Sequence, residues 1–171
     1  DRVSWDLTLK AVAHHTDLGW VLLYVERWLK APLQLEDGSL VKRDRGTHQG
    51  SAISPLLANM MLHSAFNAWL ARTFPAVQFE RYCDDAVVHC RSKAQAELIR
   101  DRIAARLAAC GLELHPVKTR LVSCKDSGRS GPVEHAQYTF LRSPFRPRLA
   151  KPRPWPSIVR FPQWVSRAAL T

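Results

Sequence analysis

The sequence predicts an α+β fold, a small antiparallel sheet backed by helices. Three observations predict it. Apolar residues recur at helical spacing in three stretches. Short β-favouring runs lie between turn residues. A hydrophobic fraction of 46% in 171 residues supports the core of one compact domain.

Each element has a local cause. Ser4 suits an N-cap for a helix through about His15, with Leu7, Val12 and Trp5 on its buried face. Asp17 suits the cap of a second helix to about Lys30. Val21, Leu22, Val25, Trp28 and Leu29 recur there at helical spacing, and Pro32 ends it. Residues 33–41 read as a hairpin turning at Asp37-Gly38. A glycine-bearing loop, 45–53, feeds a helix with Ser54 as N-cap and Pro55 as first residue, running to about Arg72. Residues 76–81 and 86–90 read as strands around Tyr82-Cys83-Asp84-Asp85. Ser92-Lys93-Ala94-Gln95 fits a capping box. It opens a long helix with Ala96, Ile99, Ile103 and Leu107 at core spacing, stopped by Gly111. Residues 112–115 and 119–122 are strand-like around Pro116, 125–135 form a polar loop, and 138–141 form a last strand. From Arg146 onward Pro and Arg dominate, and weak order is expected.

Charge narrows the function. Lys plus Arg number 25 against 15 Asp plus Glu, a formal net charge of +10, so a polyanionic partner is favoured, most simply nucleic acid. The four cysteines show no CxxC spacing, which argues against zinc and for reduced thiols in the cytoplasm. No apolar run reaches the length of a membrane span, and no signal peptide is legible. Asp1 begins inside what reads as a structured region, as in a piece of a longer protein.

The candidate chemistry sits at Asp84 and Asp85. Adjacent carboxylates repel, so the pair gains from a cation, and hard oxygen ligands suit Mg²⁺. Mg²⁺ on few carboxylates completes its shell with water and substrate phosphates, which points to phosphoryl or nucleotidyl transfer. By itself the dipeptide reads first as a solvated acidic turn, and the rest of the chain has to overturn that reading.

Three motifs in one order then give a family resemblance. Gly46-Thr47-His48-Gln49-Gly50-Ser51-Ala52-Ile53-Ser54-Pro55 is followed by Arg81-Tyr82-Cys83-Asp84-Asp85 and by Gly111-Leu112-Glu113-Leu114-His115-Pro116-Val117-Lys118-Thr119. Together they resemble the palm of reverse transcriptases, most closely those encoded by group II introns. The resemblance covers residues 1–148 as a partial palm, with 149–171 a basic, Pro-rich tail and Phe161 to Leu170 like the start of a thumb or maturase region. It implies RNA-directed DNA polymerisation with Mg²⁺ on Asp84 and Asp85. Its partners would be an RNA template, a DNA primer, dNTPs and group II intron RNA, with splicing and mobility as associated roles. Gln49, Gly50 and Ser51 would lie against template and incoming nucleotide. Lys118 resembles a lysine that protonates the leaving pyrophosphate; a phosphate-binding or solvated lysine is the alternative. Tyr82 would pack near the primer or in the core.

The departures matter too. The family's first catalytic aspartate would lie upstream of Asp1, so the palm is incomplete and the isolated chain is expected to bind nucleic acid without extending a primer. Ala usually stands where this chain has Cys83. Arg142 stands where Phe-Leu-Gly is usual, and a side chain at that close backbone approach threatens a clash. A truncated, non-catalytic RNA-binding remnant and a retron or CRISPR-associated enzyme remain alternatives. His48, His89 and His115 are expected to be structural. Trp20, Trp28 and Trp69 fit helix cores better than base stacking. Arg142, Arg146, Arg148, Lys151 and Arg153 form a basic stretch suited either to salt-sensitive phosphate contact or to a disordered tail.

Overall fold

A computed structural model describes residues 3–47, 50–123 and 137–145, and the backbone of 164–169. It is mixed helix and antiparallel sheet, as the α+β reading expects. The chain divides into two compact units. One comprises residues 1–73 and 105–113, the other 74–104 and 114–170.

The first unit is helical. α1 (Trp5–Ala13) starts where Ser4 predicts, with the Ser4 hydroxyl accepting from the Leu7 N–H. α2 (Gly19–Lys30) starts later than expected. Leu18 occupies its N-cap, and Asp17 makes no cap. Thr16 Oγ1 accepts from the Leu18 N–H instead. Val12, Val25, Leu29 and Leu57 form a buried cluster joining α1 and α2 to α3 (Ser54–Leu62). Pro55 lies in the first turn of α3, where its missing N–H is harmless, and Ile53 rather than Ser54 is the cap residue. The helix predicted to Arg72 is continuous but uneven. A π-helical turn (His63–Asn67) buries Ala65 and Phe66 before α4 (Ala68–Thr73). β1 (Leu33–Gln34) and β2 (Leu40–Val41) make the expected hairpin. Gly38 takes φ +82° at its turn, and Asp37 accepts from the Ser39 N–H.

Two predicted core positions are wrong. Trp20 is 62% exposed and Trp28 46% exposed. α2 carries more apolar residues than one buried stripe can hold. Val25 and Leu29 take the core, and the second stripe faces out.

The second unit carries a four-stranded antiparallel sheet. β3 (Phe79–Tyr82) pairs with β4 (Asp85–Cys90). β3 begins later than expected because the chain turns after Phe74, with the Val77 N–H donating to the Phe74 carbonyl. Ala86, Val88 and Cys90 alternate on one side of β4 and are at most 1% exposed. The sheet runs β3–β4–β8–β5, with β5 at Arg120–Ser123 and β8 at Trp164–Ala169. Weak order was expected throughout the tail, so the β8 backbone is a correction: it pairs with both β4 and β5. Residues 112–115 do not form the expected strand; only Leu114 makes an isolated bridge. β6 (Tyr138–Phe140) is not a single last strand, because it pairs with β7 (Ser143–Phe145) in a separate hairpin.

α5 (Lys93–Ala109) matches its predicted signals. The Gln95 N–H donates to Ser92 Oγ, and Gln95 Oε1 accepts from the Arg91 N–H, one residue earlier than in the usual box. Ala96, Ile99, Ile103 and Leu107 are all at most 1% exposed. At the far end Gly111 takes φ +73°, the Leu112 N–H reaches the Leu107 carbonyl and the Gly111 N–H the Ala108 carbonyl. That is a Schellman termination.

Candidate active site

The carboxylate pair is built by a two-residue turn. Tyr82 pairs with Asp85, so Cys83 and Asp84 alone form the loop. Cys83 takes φ +52° while Asp84 does not, the φ pattern of a II′ turn. Such turns match the twist of paired strands. The Arg81 guanidinium donates to the Cys83 carbonyl at 2.6 Å, bracing a residue that prefers another conformation. Partial burial pulls the Arg81 pKa below its usual value, against a smaller opposing effect of Cys83.

Asp84 is exposed at the turn, and Asp85 is half-buried at the first position of β4. Asp85 shares a sheet face with Tyr82, Glu80, Val87 and His89 by strand alternation. Glu80 and His89 are committed to each other through Nε2 and Oε2. Tyr82 is 60% exposed, so it is not a core aromatic. Among the described residues, no group of three or more His, Cys, Asp or Glu side chains gathers as a metal cluster. The donors offered to a cation are the two aspartates. Their oxygens at an accessible turn fit Mg²⁺, which is commonly held by one or two carboxylates plus substrate phosphates.

Lys118 lies exposed in the turn before β5. His115 builds that turn: its Nδ1 accepts from the Val117 and Lys118 N–H groups at 3.2 and 3.3 Å, and its carbonyl accepts from the Thr119 N–H at 3.0 Å. The expected structural role of His115 is thereby explained. Sheet register locates the turn. β4 and β5 both run antiparallel to β8, and Asp85 opposes Ala169 while Arg120 opposes Arg167. The two strands therefore start at the same end of the sheet. One strand separates them, roughly 10 Å at the usual spacing. Tyr82, Asp84, Asp85 and the Lys118 turn share that end.

Gly50 and Ser51 belong to the first unit. Gly50 takes φ +82°, and open space surrounds the position a Cβ would fill. Only glycine takes that conformation without strain. The loop is anchored at Gly46, whose N–H donates to the Val3 carbonyl and whose carbonyl accepts from Trp5 Nε1 at 2.7 Å. Ser51 lines an open groove of about 280 Å³ with Thr47, Ile53, Ser54 and Trp28. Gln49 and His48 lie outside the described residues, as do the 125–135 loop, Arg146, Arg148, Lys151 and Arg153.

A model of the family described as reverse transcriptase (RNA-dependent DNA polymerase) matches residues 1–152. The chain belongs to that reverse transcriptase family. No curated protein matches it. Reverse transcriptase membership carries a template, a primer and nucleotide substrates, and with them divalent metal chemistry in general. No helix among the described residues is long and apolar enough to cross a membrane. Two features of this family member escaped sequence reasoning. One is β8, which lies beyond the matched residues yet sits inside the sheet. The other is the exposed aromatic stripe of α2, for which the four-residue spacing of Trp20, Tyr24 and Trp28 was the available signal.

Proposed function

We propose that the chain carries a partial palm of a group II intron-type reverse transcriptase, residues 1–148, with Asp84 and Asp85 as Mg²⁺ ligands. The observation that carries the reading is the turn itself: a non-glycine residue is held at φ +52° so that two carboxylates occupy the end of a buried, register-fixed strand pair. Bound Mg²⁺ would lower the pKa of the primer hydroxyl and neutralise charge on the triphosphate. The chain's own residues supply the rest. Asp84, exposed, is the more accessible ligand; Asp85, half-buried on β4, is the more rigidly placed. Lys118 Nζ, entering from the same end of the sheet, donates a proton to the pyrophosphate leaving group. Tyr82 lies against the primer, and Gln49, Gly50 and Ser51 meet template and incoming dNTP.

The group II assignment rests on the motif strings at 46–59 and 111–119. It brings intron RNA as a partner, with splicing and mobility as roles. Free Cys83, Cys90 and Cys110 suit the reducing cytoplasm. A non-catalytic RNA-binding remnant is the second reading, favoured by Arg142 at φ +63° where the family resemblance has glycine.

Divalent binding tests the site. Mn²⁺ binding to the 171-residue chain, read by electron paramagnetic resonance with primer–template and dNTP present, should weaken about ten-fold or more in Asp84→Asn. Unchanged Mn²⁺ binding in that variant, or none in the parent chain, would remove the metal reading and leave the remnant.

A further inference from the structure

The outward stripe of α2 is an aromatic surface. Trp20, Tyr24 and Trp28 are 62%, 47% and 46% exposed. Their rings touch in sequence, with centroids 6.5 Å apart for Trp20 and Tyr24 and 6.1 Å for Tyr24 and Trp28. Helical rise makes the strip about 12 Å long. Exposed aromatic area of this extent marks a contact surface rather than an accident of folding.

Charge selects the occupant. The Arg27 guanidinium lies 6.0 Å from the Tyr24 ring centroid, and among the described residues it makes no ion pair. Glu26, the helix's one acid, is taken by Lys30. Arg43 adds a second guanidinium at the C-terminal end, donating to the Leu29 carbonyl at 3.3 Å. Rings interleaved with cations in a chain of net charge +10 fit a flexible polyanion whose bases offer π-faces. A duplex hides those faces in its own stack.

Position gives the direction. Trp28 closes the strip and also lines the groove that holds Thr47 and Ser51. The strip is therefore continuous with the loop assigned above to template and nucleotide.

We propose that Trp28, Tyr24 and Trp20 form a stacking track for single-stranded polynucleotide, leading the unpaired template along α2 to the Gly50 loop. The identity of that strand as template rests on the polymerase reading; the stacking does not.

Binding of labelled oligouridylate to the full chain tests it, followed by anisotropy and tryptophan quenching. Trp20→Leu with Tyr24→Leu keeps apolar area but removes the π-faces. This pair should bind about ten-fold weaker or more, whereas Trp20→Phe with Tyr24→Phe should stay within about three-fold of the parent. Duplex RNA affinity should change in neither. Circular dichroism checks the fold, which exposed positions tolerate. Parental oligouridylate affinity in the leucine pair would overturn the track. So would self-association of the parent chain that is lost in the leucine pair while oligouridylate binding persists, since the strip would then be a protein interface. Asp84→Asn, run in parallel, is read by Mn²⁺ binding alone. Failure of its metal phenotype alone sinks the catalytic reading, and failure of the leucine phenotype alone sinks the track.

Discussion

The hairpins at Cys83-Asp84 and Leu141-Arg142 both close on two residues, and both put non-glycine residues in the left-handed region. Their surroundings differ. The first belongs to a four-stranded sheet with Ala86, Val88 and Cys90 buried beneath it. One strained residue is braced there by Arg81. The second is a two-stranded sheet of its own, exposed through 141–145 and stabilised by stacking of Tyr138 on Phe145 at 5.0 Å. Leu141 at φ +50° and Arg142 at φ +63° make a I′ turn without the Asn-Gly that such turns favour. Strain persists where surrounding structure over-determines it, and clusters at functional sites. The carboxylate turn meets that description; the Arg142 turn does not.

The largest expected effect comes from breaking the anchored side. Val88 is fully buried on β4. Val88→Asp leaves an uncompensated charge in that layer, costing about 3–5 kcal/mol against a typical total of about 5–15. Cooperative loss of the sheet should follow, seen as a lowered denaturation midpoint. The matched change on the other hairpin, Thr139→Asp at an exposed position, should stay within about 0.5 kcal/mol. Equal effects from the two would mean that the hairpins are not differently anchored.

A smaller effect comes from relieving the unanchored turn. Leu141→Asn with Arg142→Gly supplies the residues a I′ turn requires. Each left-handed L-residue costs about 1–2 kcal/mol, part of which glycine returns as unfolded-state entropy. The double variant should gain about 1–2 kcal/mol locally. An isolated two-stranded hairpin is marginal, so the gain belongs in hydrogen-exchange protection across 138–145 rather than in the global midpoint. Unchanged protection would mean that Arg142 sits in its turn without cost.

The same contrast explains what was legible in the sequence. The ends of α5 were, because Ser92, Gln95 and Gly111 act within one turn of themselves. The carboxylate hairpin was as well, since its strands and turn are contiguous. Asp17 misled because Thr16, one residue earlier, bonds the Leu18 N–H instead. Trp20 and Trp28 misled because periodicity finds a buried stripe but not which of two apolar stripes it is. β8 was illegible for a different reason. Its partners lie far back in the chain at 85–90 and 120–123, and the proline-bearing stretch before it reads as a breaker. Lys118 was named by motif, but its place at the Asp85 end of the sheet depends on that same β8 pairing.

The gentlest test leaves stability untouched and asks whether the sheet beneath the carboxylates is closed. Cys83 and Cys90 flank Asp84 and Asp85 within one hairpin. Cys83 is exposed at the turn, and Cys90 is 1% exposed. Burial pushes the Cys90 thiol up to about 11. The thiolate is the reactive form, so at about pH 8 Cys90 stays protonated as well as shielded. Iodoacetamide should therefore label Cys83 well before Cys90, as read by site-resolved mass spectrometry. Val88→Asp should erase the difference by opening β4, while the Asn-Gly variant at 141–142 should leave it unchanged. Labelling of both thiols at one rate in the native parent chain would show that this layer opens freely. The carboxylate turn would then lack the rigid base that distinguishes it from its counterpart.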